Sequence, residues 1–330
     1  MFLKNSLFAI STAVLLLAGL SGCATGYGTE GVQRPDNALN AFFANAQDPR
    51  RLWLTVYESD DGPVFSGANR LSPAKIAQVR FASAGNDESA PVISMDAKDK
   101  SGVPLLIDTS SAASWMDLAL SLQLGNIAFA PPFKQVPNHV TDPVVGYAGA
   151  VSRVALGKVA IDTAIFYTRA APIPMEALGR GVYRPRPLCV LGSDLLSLFQ
   201  FVQLDYPART ATFSTSTPYT TDTNNLMTTL ALKKVDGAFA VNGIIDGKPT
   251  TMILDTAGDF ELAVAGETTG PIRQITLGDL VLRRVTPVSC AEMDCTTEYP
   301  RLGRRLLGKF RMTLEPKKNR VHFERPAQSR

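Results

Sequence analysis

The chain is poor in the residues that most enzyme chemistries need. It carries two histidines, His139 and His322, in 330 residues, and neither sits in a motif. No Gly-x-Ser-x-Gly elbow is present to present a nucleophilic serine. No phosphate-cradling glycine loop and no metal-ligand spacing occur, so no cofactor and no metal is expected. Charge is scarce as a signal too. Thirty-three Lys and Arg face 30 Asp and Glu, a net of +3, and basic residues gather only in short pieces such as Arg301 to Arg305. A nucleic-acid partner is therefore not expected.

Cysteine is also rare, with four in the chain. The close pair Cys290 and Cys295 reads as a loop-closing disulfide in an oxidising compartment, with metal binding the weaker reading because no His is near. Cys189 lies inside an apolar strand and reads as a buried free thiol. At the start of the chain, Lys4 precedes an apolar run from Leu7 to Leu20. That run falls short of the roughly 20 apolar residues a membrane span needs, and it reads as a secretory signal. It ends in Leu20-Ser21-Gly22-Cys23, which resembles the lipobox of bacterial lipoproteins. The resemblance implies cleavage before Cys23, lipidation of its thiol, and, with Ala24 rather than Asp next, anchoring to the outer membrane facing the periplasm.

What the chain does have is an internal repeat, sought early because it governs the whole fold. Val103-Pro104-Leu105-Leu106-Ile107-Asp108-Thr109-Ser110 is echoed by Thr250-Thr251-Met252-Ile253-Leu254-Asp255-Thr256-Ala257. Val154-Ala155-Leu156-Gly157 is echoed by Ile275-Thr276-Leu277-Gly278, and Val190-Leu191-Gly192 is matched to Leu306-Leu307-Gly308. Gln203 to Phe213 is echoed by Thr313 to Phe323. Each half reads as strands joined by tight turns, with Asp246-Gly247 a strong hairpin signal. Helix is expected only at Asp36 to Ala46, after Ser72-Pro73 as far as Val79, and at Ser193 to Phe199, with most of that last helix missing from the second half.

An apolar strand ending in Asp-Thr, followed by small residues, is specific when it occurs twice. Leu105-Leu106-Ile107-Asp108-Thr109-Ser110-Ser111 and Met252-Ile253-Leu254-Asp255-Thr256-Ala257-Gly258 resemble the Asp-Thr-Gly loops of retropepsin-like and pepsin-like aspartic proteases. The likeness covers about residues 92 to 325. It implies an all-β, two-lobed acid-protease fold with internal duplication. The expected organisation is a signal peptide at 1–22, a tether and N-terminal extension at 23–90, a first lobe at 91–214, a linker at 215–225 and a second lobe at 226–330.

The chemistry needs two facing carboxylates, since two held close cannot both ionise and so share one proton. Asp108 and Asp255 are the implied catalytic pair. Thr109 and Thr256 are the implied lobe-locking residues, and Ser111 is a candidate hydrogen-bond donor to one carboxylate. Gly146, Tyr147 and Gly149 are the candidate flap that covers substrate, with Gly266 to Gly270 a shorter counterpart. Trp115 reads as packing, with the edge of a subsite as its alternative, and Trp53 as packing. Asp117, Asp194 and Asp205 read as turn or helix-cap acids, and His322 as part of a solvated strand face. The third motif position is Ser110 in one loop and Ala257 in the other, where the family has Gly. The expected function is a lipid-anchored aspartic endopeptidase, monomeric and acting on peptides or proteins. The alternative is a weak or inactive relative that binds peptides or an envelope partner.

Overall fold

The computed structural model describes residues 36–326, apart from 60–61, 74–75, 83–89, 136–144, 170–188, 268–269 and 291–297. The fold is all-β with a few short helices. An N-terminal helix, α1 (Asp36–Phe43), precedes the hairpin β1 (Thr55–Ser59) and β2 (Gly62–Ser66), then β3 (Arg70–Leu71) and β4 (Ile76–Arg80). The first half continues with β5 (Val92–Ala97), β6 (Lys100–Ile107), β7 (Trp115–Asp117), α2 (Leu118–Leu124), β8 (Ile127–Ala128) and β9 (Lys134–Gln135). It closes with β10 (Gly146–Leu156), β11 (Val159–Arg169), β12 (Cys189–Leu191), α3 (Ser193–Leu196), β13 (Phe201–Asp205) and β14 (Thr210–Ser214). The second half runs β15 (Leu226–Val235), β16 (Ala238–Ile245), β17 (Lys248–Asp255), β18 (Leu262–Val264), β19 (Ile272–Leu277) and β20 (Leu280–Val285). It ends with β21 (Pro287–Ser289), β22 (Arg301–Gly303), α4 (Arg304–Leu307), β23 (Arg311–Glu315) and β24 (Arg320–Glu324).

The two halves repeat one order of pairings. In the first, the β5–β6 hairpin leads to Asp108, β12 runs parallel to β6, and β7 pairs antiparallel to β12 and parallel to β11. In the second, the β16–β17 hairpin leads to Asp255, β22 runs parallel to β17, and β18 pairs antiparallel to β22 and parallel to β21. The closing hairpins β13–β14 and β23–β24 join through β13 and β23, which pair antiparallel with Leu204 opposite Met312. One apolar core runs through both halves and includes Ile107, Leu191, Phe213, Leu254, Leu302 and Phe323, all fully buried.

Turn chemistry fits the sequence where it was most explicit. Asp246 and Gly247 both adopt positive φ (46° and 87°), as a two-residue hairpin turn requires. Two expectations fail. The segment after Ser72-Pro73 is not a helix: Ile76 to Arg80 is strand β4, paired with β14. Its residues alternate, with Ala77 buried between exposed Ile76 and Gln78, a period-two pattern that pairing with β14 rewards. Ser72 hydrogen-bonds Ala160 in both directions instead of capping a helix.

The second half also keeps its helix. The counterpart of Leu191-Gly192 is Leu302-Gly303, five residues before the expected Leu307-Gly308, because Gly303 pairs with Asp255 in the parallel register that sets Leu191 beside Ile107. Helix α4 follows Gly303 as α3 follows Gly192, each four residues long.

Gly192 and Gly303 sit where the chain crosses under an Asp loop. A Cβ at Gly192 would lie 2.4 Å from the Ala113 carbonyl oxygen, and at Gly303 2.2 Å from that of Phe260. Backbone cannot retreat as a flexible side chain can. Gly192→Ala and Gly303→Ala should each lower stability by about 1–3 kcal/mol, the range for overpacking, read as a lower urea midpoint. Unchanged midpoints would refute this crossing.

Candidate functional site

The site is built from the two loops that leave parallel strand pairs. Asp108 follows β6, and Asp255 is the last residue of β17. Each loop curls its backbone N–H groups back onto its own carboxylate. Asp108 Oδ1 accepts from Ser110 N (2.8 Å), from Ser111 N (3.3 Å) and from the Ser110 hydroxyl (2.7 Å). Asp255 Oδ1 accepts from Ala257 N (3.1 Å) and Gly258 N (2.7 Å). The third motif position needs no glycine here, because neither Ser110 nor Ala257 has positive φ. The tight position is the fourth of the second loop: a Cβ on Gly258 would meet the Phe260 ring at 2.4 Å and Asp255 Oδ2 at 2.7 Å.

The threonines tie one loop to the other. The Thr109 hydroxyl donates to the Leu254 carbonyl (2.6 Å), and the Thr256 hydroxyl donates to the Ile107 carbonyl (2.7 Å). In return Thr109 N donates to Thr256 Oγ1 (3.1 Å) and Thr256 N to Thr109 Oγ1 (3.3 Å). Both threonines are fully buried. The four bonds form a closed, two-fold set that satisfies every polar group it uses.

The carboxyls are not equivalent. Asp255 is completely buried, whereas Asp108 is part-exposed. Arg301, buried on β22, places Nη2 2.7 Å from Asp255 Oδ2 and donates to Ser110 Oγ at 2.9 Å. That same serine hydroxyl donates to Asp108, so one guanidinium touches Asp255 directly and Asp108 through Ser110. Burial pushes the Asp108 carboxyl up to about 6, and the negative charge of Asp255 adds to the rise; the Ser110 hydroxyl and Arg301 pull against it. Arg304 on α4, also buried, supports the second loop by donating to the Ala257 carbonyl and pairing with Asp259 at 2.9 Å.

No protein-family model matches the chain, and no curated protein is similar to it. Among solved structures, the chain is similar to the crystal structure of Basic 7S globulin from soybean, at 10% identity and a TM-score of 0.47. The alignment covers 76% of this chain and 95% of that one. The likeness is distant.

Other candidate residues fall in different places. Gly146, Tyr147 and Gly149 do not form a hairpin tip. They lie within β10, whose turn to β11 is at Gly157-Lys158. Tyr147 packs edge-on against Phe43 of α1, ring centres 5.1 Å apart. Gly146 is small because the Trp115 ring fills the space a Cβ would take, 2.2 Å away. The segment joining β9 to β10 lies outside the described residues, as does part of Gly266 to Gly270.

Trp115 is buried and donates its indole N–H to Ser111 Oγ (3.1 Å), which in turn donates to the Ala113 carbonyl. Ser111 thus gives its backbone N–H, not its hydroxyl, to Asp108. Trp53 is not a packing residue; it stands 92% exposed. Asp117 caps α2 by accepting from Ala119 N, and Asp205 accepts from Ala208 N in a turn. Asp194 at the start of α3 accepts from Ser114 N and Oγ.

His322 is not solvated. It is buried, with Nε2 3.0 Å from Glu315 Oε2 and Nδ1 2.9 Å from Thr229 Oγ1. Its alternating strand faces a neighbouring carboxylate rather than water. Cys189 is a free, fully buried thiol, whose burial pushes its pKa well up. Cys290 is disulfide-bonded, while Cys295, Cys23 and His139 lie outside the described residues. The described residues contain no cluster suited to a metal ion.

Sequence reasoning missed Arg301 and Arg304. Placing Leu302-Gly303 against Leu191-Gly192 puts Arg301 at the position of buried Val190, and an arginine there is the signal that would have found it.

Two outcomes follow. Thr109→Val and Thr256→Val should each cost about 1–3 kcal/mol, because buried partners lose a hydrogen bond. The double variant should cost less than the sum, since both act in one network; additive costs in urea unfolding would contradict the shared lock. Asp108 should also imprint on pH stability. Its folded pKa stands above the ordinary 3.8, so its contribution is complete below that value, shrinks as pH rises, and is gone above about 6. Asp108→Asn should remove this decline between pH 4 and 6; a wild-type-like slope in the variant would assign it elsewhere.

Proposed function

We propose that this chain is an aspartic endopeptidase with a two-lobed acid-protease fold, in which Asp108 and Asp255 activate a water for peptide hydrolysis. The observation that carries this reading is the pair of Asp loops, repeated in topology and tied by reciprocal Thr109 and Thr256 hydrogen bonds, with the charge of one carboxyl acting on the proton of the other. A pair with one protonated and one ionised member supplies both halves of the chemistry. The ionised carboxylate takes a proton from water as it attacks the scissile carbonyl. The protonated one donates to the carbonyl oxygen, and no covalent intermediate forms. Residues of the chain suffice, and no cofactor is needed. In this reading Cys23 carries the lipid, and the domain stands at the outer membrane facing the periplasm as a monomer that cleaves peptide or protein substrates.

A second reading is a weak or inactive relative that binds peptides or an envelope partner. Arg301 favours it, because a guanidinium 2.7 Å from Asp255 Oδ2 competes with a water for that carboxylate oxygen.

The deciding experiment is digestion of a diverse peptide mixture by the purified protein from pH 3 to 8, read by mass spectrometry. The endopeptidase reading expects cleavage that falls at least about a hundredfold in both Asp108→Asn and Asp255→Asn, the usual range for losing a general acid or base. A folded wild type that cleaves nothing at any pH, yet binds peptides, would establish the second reading.

A further inference from the structure

Two departures at this site, one from the Asp-Thr-Gly pattern and one from the internal repeat, are physically one device. Ser110 stands where the first loop would have Gly, and Arg301 stands where the first half has Val190. The structure brings them into contact, Nη2 to Oγ at 2.9 Å. We propose that Arg301 divides the labour of the two carboxyls, its guanidinium pairing directly with Asp255 and not with Asp108, which leaves Asp108 as the member that carries the proton. The assignment rests on reading Asp108 and Asp255 as a hydrolytic pair, and it makes Arg301 a positioning residue, not a catalytic one.

The geometry is directional. A symmetric pair has no preference for which member ionises. Here the cation lies 2.7 Å from an oxygen of the fully buried Asp255, and its side chain is 5% exposed, so solvent and salt screen the pair little. Asp108 receives no such contact. Its Oδ1 is held by the Ser110 hydroxyl, whose oxygen is in turn held by the same guanidinium. With Oδ1 engaged by three donors, the proton of Asp108 belongs on the opposite oxygen.

Neighbouring charges do not undo this. Arg304 on α4 is committed to Asp259 and the Ala257 carbonyl. Glu261, ahead of β18, is committed to Lys309 and to Thr286 N. The Tyr206 hydroxyl, within electrostatic reach of both acids and Arg304, has burial pushing its pKa well up and stays neutral. The raised Asp108 carboxyl agrees with the assignment.

Removing a positive charge raises the pKa of both nearby carboxyls. The test is therefore Arg301→Gln, which loses the charge but can still donate to Ser110, beside Arg301→Lys, which keeps the charge. Two readings are taken: the pH dependence of kcat/KM on a cleaved peptide, and carbon-13 carboxyl titration of aspartate-labelled protein, with Asp108→Asn assigning the resonance. The expected result is a single carboxyl titration near pH 6, assigned to Asp108, in the wild type, which in Arg301→Gln moves and is shared between the two carboxyls. Both limbs of the activity profile should move the same way, and Arg301→Lys should restore much of the wild-type behaviour.

An unmoved Asp108 titration in a folded Arg301→Gln protein would overturn the proposal, reducing Arg301 to a packing role. Faster cleavage by Arg301→Gln with an unmoved profile would also overturn it, marking Arg301 as a blocking group. A shifted titration in a protein that never cleaves peptide would support the assignment of Arg301 while ending the endopeptidase reading.

Discussion

The structure depends on the reciprocal hydrogen bonds of Thr109 and Thr256. Each threonine hydroxyl donates to the backbone carbonyl before the other half's aspartate and accepts from the other threonine's N–H. All of these groups are buried, so each would cost its full desolvation if left alone. The bonds can close only if both loops adopt the same conformation and meet about a two-fold axis. That single requirement explains why β12 and β22 take matching parallel registers, why glycine stands at 192 and 303, and why helices of equal length follow each. The joined closing hairpins, with β13 against β23, extend the same relation through the core.

Within that symmetric frame the charges are asymmetric. Arg301 and Arg304 belong to the second half, and their first-half counterparts are Val190 and Ser193. Both arginines reach the second Asp loop, and one continues to the first through Ser110. A buried guanidinium persists only where carboxylates and carbonyls satisfy it. Its presence thus depends on Asp255, and the local fold depends in turn on the ion pair. The backbone is a repeat; the electrostatics is not.

How much of this was legible follows from the kind of interaction involved. Tight turns and Asp-Thr loops are written locally, and Asp246-Gly247, Gly157, Gly278, Asp108 and Asp255 took the places their sequences implied. What failed required knowledge of a partner. Ile76 to Arg80 becomes a strand because β14 offers it an edge, and His322 is buried because Glu315 and Thr229 face it across neighbouring strands. The glycines around Tyr147 suggest a flap residue. Those glycines instead make room for Trp115 and Asn126, contacts no local pattern encodes. Arg301 stayed hidden because Leu-Gly recurs at 302–303 and 307–308, and only the parallel register with Asp255 decides between them.

The same register bears on what Ser110 means. Taken alone, the lack of glycine at the third position of both Asp loops reads as a departure from the Asp-Thr-Gly pattern they resemble. Its cost proves small, because negative φ at Ser110 and Ala257 imposes no left-handed strain. A chance serine there would also leave a buried polar side chain without a matching partner. Ser110 instead donates to Asp108 and accepts from Arg301, while Arg301 reaches Asp255. A buried arginine in an apolar strand is too costly to persist without such partners, and a serine at the third position is the shortest side chain able to pass its hydrogen bond to the other carboxyl. Ser110 and Arg301 are coupled by geometry. The two acids thus stand in different surroundings, one paired with a buried guanidinium and the other joined to it through a serine hydroxyl.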